Sequence, residues 1–470
     1  MASLKDVLSM VATGMRTVRQ TTAEEYRDAY DGDQEKWLTK NPAEAVEDWQ
    51  SRPHVWLNIT RPVVDVLSGL YREEPRRSFA EDLRAIAARM GQAYDANPMG
   101  PLMIQADAMT RLLGVSAIEP VYDHERREVR YVLYTADTLE VWTEDENPTT
   151  AETVAITGFR SGRKWAHVWT ADTFVSLAQP EGSEPGQPLV VERMVDNPYG
   201  MIPLAFFFNE LPHDEFWVAP QGHNIVPQNW HVNKMLTELA HAVMMQSWGQ
   251  WWIRNPDPHW RPIVGPGRWV KIAGEGEIGV LSPQVLIDQV WDSYIERVIG
   301  WVLATNGVPE AAVRLSQSST RSGISILAEQ LPLVEERRRR ATLFRRWEED
   351  LAVKTLRVLE VEEHLSVPAR SSELGFKVDY AELGLWQLAQ DRTREWQWML
   401  DHGLVGVTDI YRTLNPGLTR EQAEAELRRI AAENELRPTG KGPKVGDRVQ
   451  ESKEATPAAE MESQVGVKGF

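Results

Sequence analysis

The chain has no cysteine among its 470 residues. Disulfides, thiolate metal sites and cysteine nucleophiles are excluded together, and a reducing compartment suits such a chain. Long apolar runs are missing too. The longest, Ile202 to Phe208, falls far short of the roughly 20 residues that a membrane-spanning helix needs. The start, Met1-Ala2-Ser3-Leu4-Lys5, has no apolar stretch of the secretory type. No membrane contact is expected.

Positive charge is scarce: 51 Lys and Arg stand against 69 Asp and Glu, a formal charge of -18. Tight phosphate binding needs clustered cations, so a protein that grips nucleic acid on a basic surface is disfavoured. A passage through which DNA slides without sticking is not. Catalytic signatures are absent as well. There is no Gly-x-Ser-x-Gly elbow, phosphate-binding loop or dinucleotide fingerprint, and Gly265-Pro266-Gly267 puts proline where such a loop needs a free amide. His213, His223, His231 and His241 match no zinc spacing. Neither a metal nor a cofactor is expected. Acidic pairs such as Glu144 with Glu146 and Glu348 with Glu349 keep an acidic carbohydrate-active hydrolase as the alternative, although such pairs are usually solvated faces.

What is present points to an α+β chain of several domains, with 42% hydrophobic and 26% charged residues. Helical periodicity predicts helices over Leu4 to Glu25, Pro62 to Tyr71 with Thr60 as cap, Ala80 to Tyr94 and Pro101 to Leu113. From Val115 to Phe208 the period drops to two. Ser116–Tyr122, Val129–Tyr134, Leu139–Trp142, Thr153–Phe159, Lys164–Trp169, Phe174–Ala178 and Leu189–Val195 read as antiparallel strands, and Ile202–Phe208 as a buried one.

A helix follows with Val232, Met235, Leu236, Leu239, Ala240, Val243 and Met244 at i, i+3, i+4, i+7 spacing, ending near Trp251 and Trp252. A second repeats the pattern from Ile287 to Val302, with Ser282 as cap and Pro283 at its first position. Between them lies a Pro/Gly/Trp-rich insert of about thirty residues, far longer than an ordinary helix connection. Next come Asn306-Gly307-Val308-Pro309, the polar run Ser316 to Gly323, and a long helix from Ile324 to about Glu363, kinked at Pro332. Helices are expected again over Leu385–Asp401 and Arg420–Glu435, the latter opened by a capping box of Thr419 and Gln422. Beyond Pro438 the composition reads as a disordered tail.

One basic run stands out: Arg337-Arg338-Arg339-Arg340 with Arg345 and Arg346, flanked by Glu335, Glu336, Glu348 and Glu349. Four consecutive helical residues point in all directions, so they cannot all face one DNA backbone. Salt bridges within the chain or to a neighbouring subunit are the preferred reading. The nineteen tryptophans fall mostly at helix ends and in the insert, where a ring with one donor suits an interface or packing inside the subunit.

The order of these pieces resembles the portal proteins of tailed bacteriophages. Leu112-Leu113-Gly114-Val115-Ser116-Ala117 leading to Pro120-Val121-Tyr122-Asp123 looks like the lead into the family's wing, and Asn197-Pro198-Tyr199-Gly200-Met201-Ile202-Pro203 is similar to its Asn-Pro-x-Gly-x-Ile-Pro strand lead. Helix, insert and helix from Gln228 to Thr305 look like stem, clip and stem. Gly307-Val308-Pro309-Glu310, the Ser-rich run and the kinked helix resemble the tunnel loop and its backing helix, and Asp401-His402-Gly403-Leu404-Val405 with the helix from Arg420 is similar to the crown.

The resemblance implies a portal-like fold divided as wing 1–227, stem helix 228–250, clip 251–283, stem helix 284–306, tunnel loop 307–323, long helix and return to the wing 324–378, crown 379–438 and tail 439–470. It implies a non-enzymatic virion protein, assembled in the host cytoplasm into a dodecameric ring at one capsid vertex. Its partners would be double-stranded DNA passing without sequence specificity, the terminase large subunit, a head-tail adaptor, and the major capsid and scaffolding proteins. Gln317, Ser318, Ser319, Thr320 and Arg321 would face DNA, Trp251, Trp252, Trp260 and Trp269 would serve clip docking, and Arg337, Arg338, Arg339, Arg340 and Glu348 would form intersubunit salt bridges. Another structural virion protein, such as an adaptor, is the remaining alternative.

Overall fold

Gly14 and Thr17 split the first apolar pattern into two helices where one run to Glu25 was expected. Gly14 sits in the left-handed region at φ +63°, which turns the chain out of α1 (Leu4–Ala12). Thr17 then opens α2 (Val18–Asp31) with a capping box: its Oγ1 accepts the Gln20 amide at 3.2 Å, and the Gln20 side chain accepts the Thr17 amide at 3.0 Å. The computed structural model describes residues 4–182, 187–248, 250–254, 276–281, 294–309, 323–368, 371–381, 389–415 and 419–436. The chain divides into two units, Met1–Leu383 and Gly384–Phe470.

In the first unit, α3 (Val46–Ser51), α4 (Thr60–Leu67), β1 (Arg76–Ser78), α5 (Arg84–Asp95) and α6 (Met99–Leu113) follow. Thr60 is inside α4, not its cap, because its hydroxyl is spent elsewhere. Gly114, at φ +85°, ends α6, and a Cβ there would lie 2.4 Å from the Val218 carbonyl oxygen, so glycine is required.

The period-two region forms β2 (Val115–Asp123), β3 (Glu128–Thr135), β4 (Leu139–Thr143), β5 (Ala151–Arg160), β6 (Arg163–Thr170), β7 (Thr173–Ala178), β8 (Val190–Asp196) and β9 (Ala205–Phe208). These make two antiparallel sheets, ordered β3-β2-β9 and β4-β5-β6-β7-β8. Helix α1 covers one face of the larger sheet, setting Val7 and Val11 against Ala155, Ala166, Val168, Val175 and Leu177. Its two edges differ. On the β4 side, Arg19 donates to the Ala136 and Leu139 carbonyls and Gln20 donates to Leu139, so side chains of α2 occupy the start of that rim. On the other side β8 has no outer strand among the described residues, and Val190, Val191 and Met194 are exposed.

After β9 come α7 (Gly222–Trp248), β10 (Gln250–Arg254), β11 (Glu277–Leu281), α8 (Glu296–Thr305), α9 (Gly323–Glu363) and β12 (Lys377–Asp379), which pairs with β1. The later half of α9 lies on β9 and β2, burying Phe344, Leu351, Leu356 and Leu359 with Phe207, Ile118 and Met103. Burial of each such side chain is worth about 1.5–3 kcal/mol, which fixes this helix while its start leads away toward α8. Pro332 lies in α9 and Pro227 in α7.

The second unit holds α10 (Ala389–Asp401), α11 (Val407–Leu414) and α12 (Arg420–Leu436). Thr419 and Gln422 form the expected capping box, at 2.9 and 3.3 Å. Among its described residues only Ala423 is buried, while Trp398, Leu404, Val407 and Leu414 are exposed.

Glu119, in the middle of β2, is buried without a cationic partner among the described residues; Tyr134 donates to it at 3.0 Å. Burial raises its carboxyl to about 7, and the Tyr134 hydrogen bond pulls only partly back. Both folded and unfolded forms are neutral at low pH, so the cost is absent below the unfolded value of 4.5, grows as pH rises, and is complete above about 7. Glu119→Gln should therefore match wild type near pH 4.5 and exceed it by up to roughly 3 kcal/mol near pH 8. Urea unfolding across that range checks this; a difference independent of pH would contradict it.

Candidate functional site

The segment from α7 to α8 is assembled on a polar ladder. Helix α7 begins where only glycine fits: a Cβ at Gly222 would sit 2.5 Å from the Tyr26 ring and 2.7 Å from the Leu112 carbonyl oxygen. Ile225, Val226, Val232 and Leu236 then bury against α2, α4 and α6 residues such as Tyr26, Val63 and Leu112. Beside this stripe run Asn229, Asn233 and Thr237, four residues apart and all buried, so they stack on one helical face. They bind the extended chain before α4. Asn229 Oδ1 accepts from the amides of Ile59 (2.9 Å) and Thr60 (3.0 Å) and from the Thr60 hydroxyl (2.9 Å), while its amide donates to the Leu57 carbonyl. Asn233 accepts the Leu57 amide at 2.8 Å, and Thr237 both accepts from and donates to Val55. Gln34 closes the network by accepting from both asparagines. Arg52 reaches Glu238 at 3.1 Å in the next turn.

The apolar stripe of α7 is legible in the sequence, whereas the partners of this ladder are not. Its signal was a polar residue every fourth position within an apolar helix, since buried amides need partners.

Beyond α7, β10 and β11 form an antiparallel ribbon with Trp252 opposite Gly279. The indole covers the glycine so closely that a Cβ would lie 2.5 Å from its Nε1. Trp252 is still 40% exposed, and Arg254 and Glu277 pair at 3.8 Å at the ribbon's far end. Trp251 faces Val280 in the register. Trp260, Trp269, Ser282 and Pro283 lie outside the described residues, as do Gln317, Ser318, Ser319, Thr320 and Arg321.

Helix α8 returns along α7 and buries Val298, Val302 and Leu303. His231 on α7 meets the Tyr294 hydroxyl at 2.8 Å. The other side of the α8 segment keeps apolar groups in solvent: Trp301 is 61% exposed and Tyr294 43%. Gly307, at φ +67°, ends the helix, and Val308 buries.

The basic run is placed differently from expectation. Arg340 and Glu348 are not intersubunit groups, since both are enclosed within the chain. Arg340 donates to both the side chain and the carbonyl of Asp107, and to Asn209 Oδ1 at 2.7 Å. Glu348 accepts from Arg77 at 2.5 Å, Tyr71 at 2.7 Å and Tyr380 at 2.9 Å. Arg338 and Arg339 pair within α9 with Glu335 (3.2 Å) and Glu336 (3.0 Å), and Arg337 donates to the Leu70 carbonyl. Burial decided the matter, and sequence spacing carries no burial information.

Glu348, enclosed by its three partners, cannot serve with Glu349 as a hydrolytic pair across a cleft. Glu144 and Glu146 are exposed residues following β4. Among the described residues no group of His, Cys, Asp and Glu could hold a metal ion, and no helix is long and apolar enough to cross a membrane.

No family model matches the chain, and no curated protein does. Among solved structures, it is similar to a chain of the virion of a native gene transfer agent particle, with 11% identity and a TM-score of 0.46 over 88% of this chain and 98% of that one. A chain from the neck of an empty particle, computed with C6 symmetry, gives 12% and 0.44 over 87% and 97%. One from the neck of a native particle, computed with C12 symmetry, gives 11% and 0.42 over 77% and 90%. Likeness at this level carries no functional argument.

Asn229→Ala would leave three donors without their acceptor. At about 1–3 kcal/mol for each buried unsatisfied group, partly relieved by relaxation, unfolding free energy should fall by about 3 kcal/mol. The exposed neighbouring Gln228→Ala should change it by no more than about 0.5 kcal/mol. Urea titration of both variants measures this, and equal effects would remove the ladder's claim.

Proposed function

We propose that this chain is a portal-type subunit, forming a ring at one capsid vertex that passes DNA during packaging and ejection. The observation that carries the reading is the helix, ribbon and helix of α7, β10–β11 and α8, in which Trp301 and Tyr294 of the α8 segment stay exposed while Val298, Val302 and Leu303 are packed. Copies related by rotation supply such cover at every position of a closed ring. The order of elements along the chain, which resembles that family, supports the same reading.

On this reading α7 and α8 are stem helices, the ribbon is the root of a clip spanning 251–283, and residues 307–323 form the tunnel loop. The first stem helix takes its bounds from α7, which begins at Gly222, ahead of the expected 228. The terminase motor and a head-tail adaptor would dock on the clip through Trp251, Trp252, Trp260 and Trp269. Small polar side chains from Gln317 to Arg321 would give DNA weak, sequence-independent contacts, and the negative charge of -18 would keep phosphates from sticking.

Negative-stain microscopy of the purified protein should show rings with a central hole, and mass measurement should give about twelve copies. Monomers with glycoside-cleaving activity would replace this reading by the hydrolase alternative. Deleting residues 316–321 should leave rings intact while impairing packaging or DNA retention; normal packaging and retention would sink the loop assignment. Replacing Trp260 and Trp269 by Ala should weaken motor or adaptor binding without affecting ring formation, and unchanged binding would count against the clip assignment.

A further inference from the structure

Where α8 ends and α9 passes Pro332, a cavity of about 220 Å³ is lined by Arg111, Gln221, Asn306, Pro332, Glu336 and Arg339, among others. Its volume equals that of several waters at about 30 Å³ each. Two guanidiniums share a single carboxylate there. Glu336 Oε1 accepts from Arg111 at 2.7 Å and from Arg339 at 3.0 Å, and Oε2 accepts from Arg339 at 3.0 Å. Arg111 is only 3% exposed, and its Nε is buried with no hydrogen-bond partner among the described residues.

The surrounding charges do not fill the deficit. Arg340, behind Arg111, is matched by Asp107, and Arg338 is matched by Glu335. Arg337 faces Glu73 and Arg72 together, while Glu210, which is exposed, acts on Arg339 from outside the cavity lining. Among the described residues lining the cavity the balance is two cations to one anion.

We infer that this cavity is a binding site for a small dissolved oxyanion of the inorganic phosphate class, held between Arg111 and Arg339 in competition with Glu336. A tetrahedral oxyanion offers more acceptor oxygens than one carboxylate and suits two guanidinium forks. Local titration is consistent. Burial works to raise the Glu336 carboxyl, yet the hydrogen bonds from Arg339 and Arg111 bring it down to about 2. Burial, then the neighbouring Arg340, lowers Arg111 to about 10. The depressed Glu336 carboxyl and the Arg340 contribution at Arg111 both reflect excess positive charge around the cavity. All the described lining residues belong to one chain.

The test is calorimetric titration of the full-length protein with inorganic phosphate at pH 7.5, ionic strength held constant with potassium chloride. Wild type should bind one phosphate per subunit with a saturable isotherm. Glu336→Gln removes the competing carboxylate and should tighten binding, whereas Arg339→Gln should weaken it roughly tenfold, the loss of one charge-assisted hydrogen bond. Arg339 is half exposed, so its variant keeps the fold, which circular dichroism checks. Arg339→Lys should restore part of the affinity. No saturable binding by wild type, or equal affinity in wild type and Arg339→Gln, would overturn the inference. Tightening in one variant with weakening in the other would establish it, since a purely structural role for these residues predicts no gain from Glu336→Gln.

Discussion

One guanidinium holds the larger unit in register. Arg340 is 1% exposed and Asp107 is fully buried, and together with Asn209 they tie α9 to α6 and to the chain just after β9. Removing one partner from such a pair typically costs about 3–5 kcal/mol, because the other is left charged and dry. Eight residues further on, Glu348 repeats the arrangement with Arg77, Tyr71 and Tyr380. At a rise of about 1.5 Å per residue these anchors are about 12 Å apart. A helix pinned at two points cannot slide or roll on its sheet. The Phe344, Leu351 and Leu356 packing then adds affinity to a register already set by charge.

Much of the fold was legible because period carries it. Alternation from Val115 to Val195 foretold the strands, and the spacing of Val232, Leu236, Val298 and Val302 foretold which sides of α7 and α8 face inward. Turn chemistry was less legible. A single glycine at φ +63° cut one expected helix into two, and Thr60, a plausible cap by residue type, turned out to be bound by an asparagine 169 positions away. The candidate site was the least legible part. Its helices showed as apolar stripes, but the Asn229, Asn233 and Thr237 ladder depends on a distant strap of backbone, and the burial of Arg340 depends on where Asp107 falls. Long-range partners leave no mark in local periodicity.

The two units differ in how far they satisfy themselves. The first buries three apolar clusters and pairs Arg340 with Asp107 and Arg77 with Glu348 in its interior. In the second, Ala423 is the one buried residue among those described, and α11 shows none of its apolar residues buried. Such a helix set draws little stability from its own packing, since most helical stability in proteins comes from burying an apolar face. On the ring reading, its order is tied to assembly.

The unequal rims of the five-stranded sheet bear on solution behaviour. Endless stacking of sheets into a fibril requires two free edges, one to receive and one to offer a strand. Here Arg19 and Gln20 occupy the Ala136 and Leu139 carbonyls where β4 begins, while β8 has no outer strand among the described residues. A strand arriving from elsewhere would therefore meet an open edge on β8, beside the exposed Val190, Val191 and Met194.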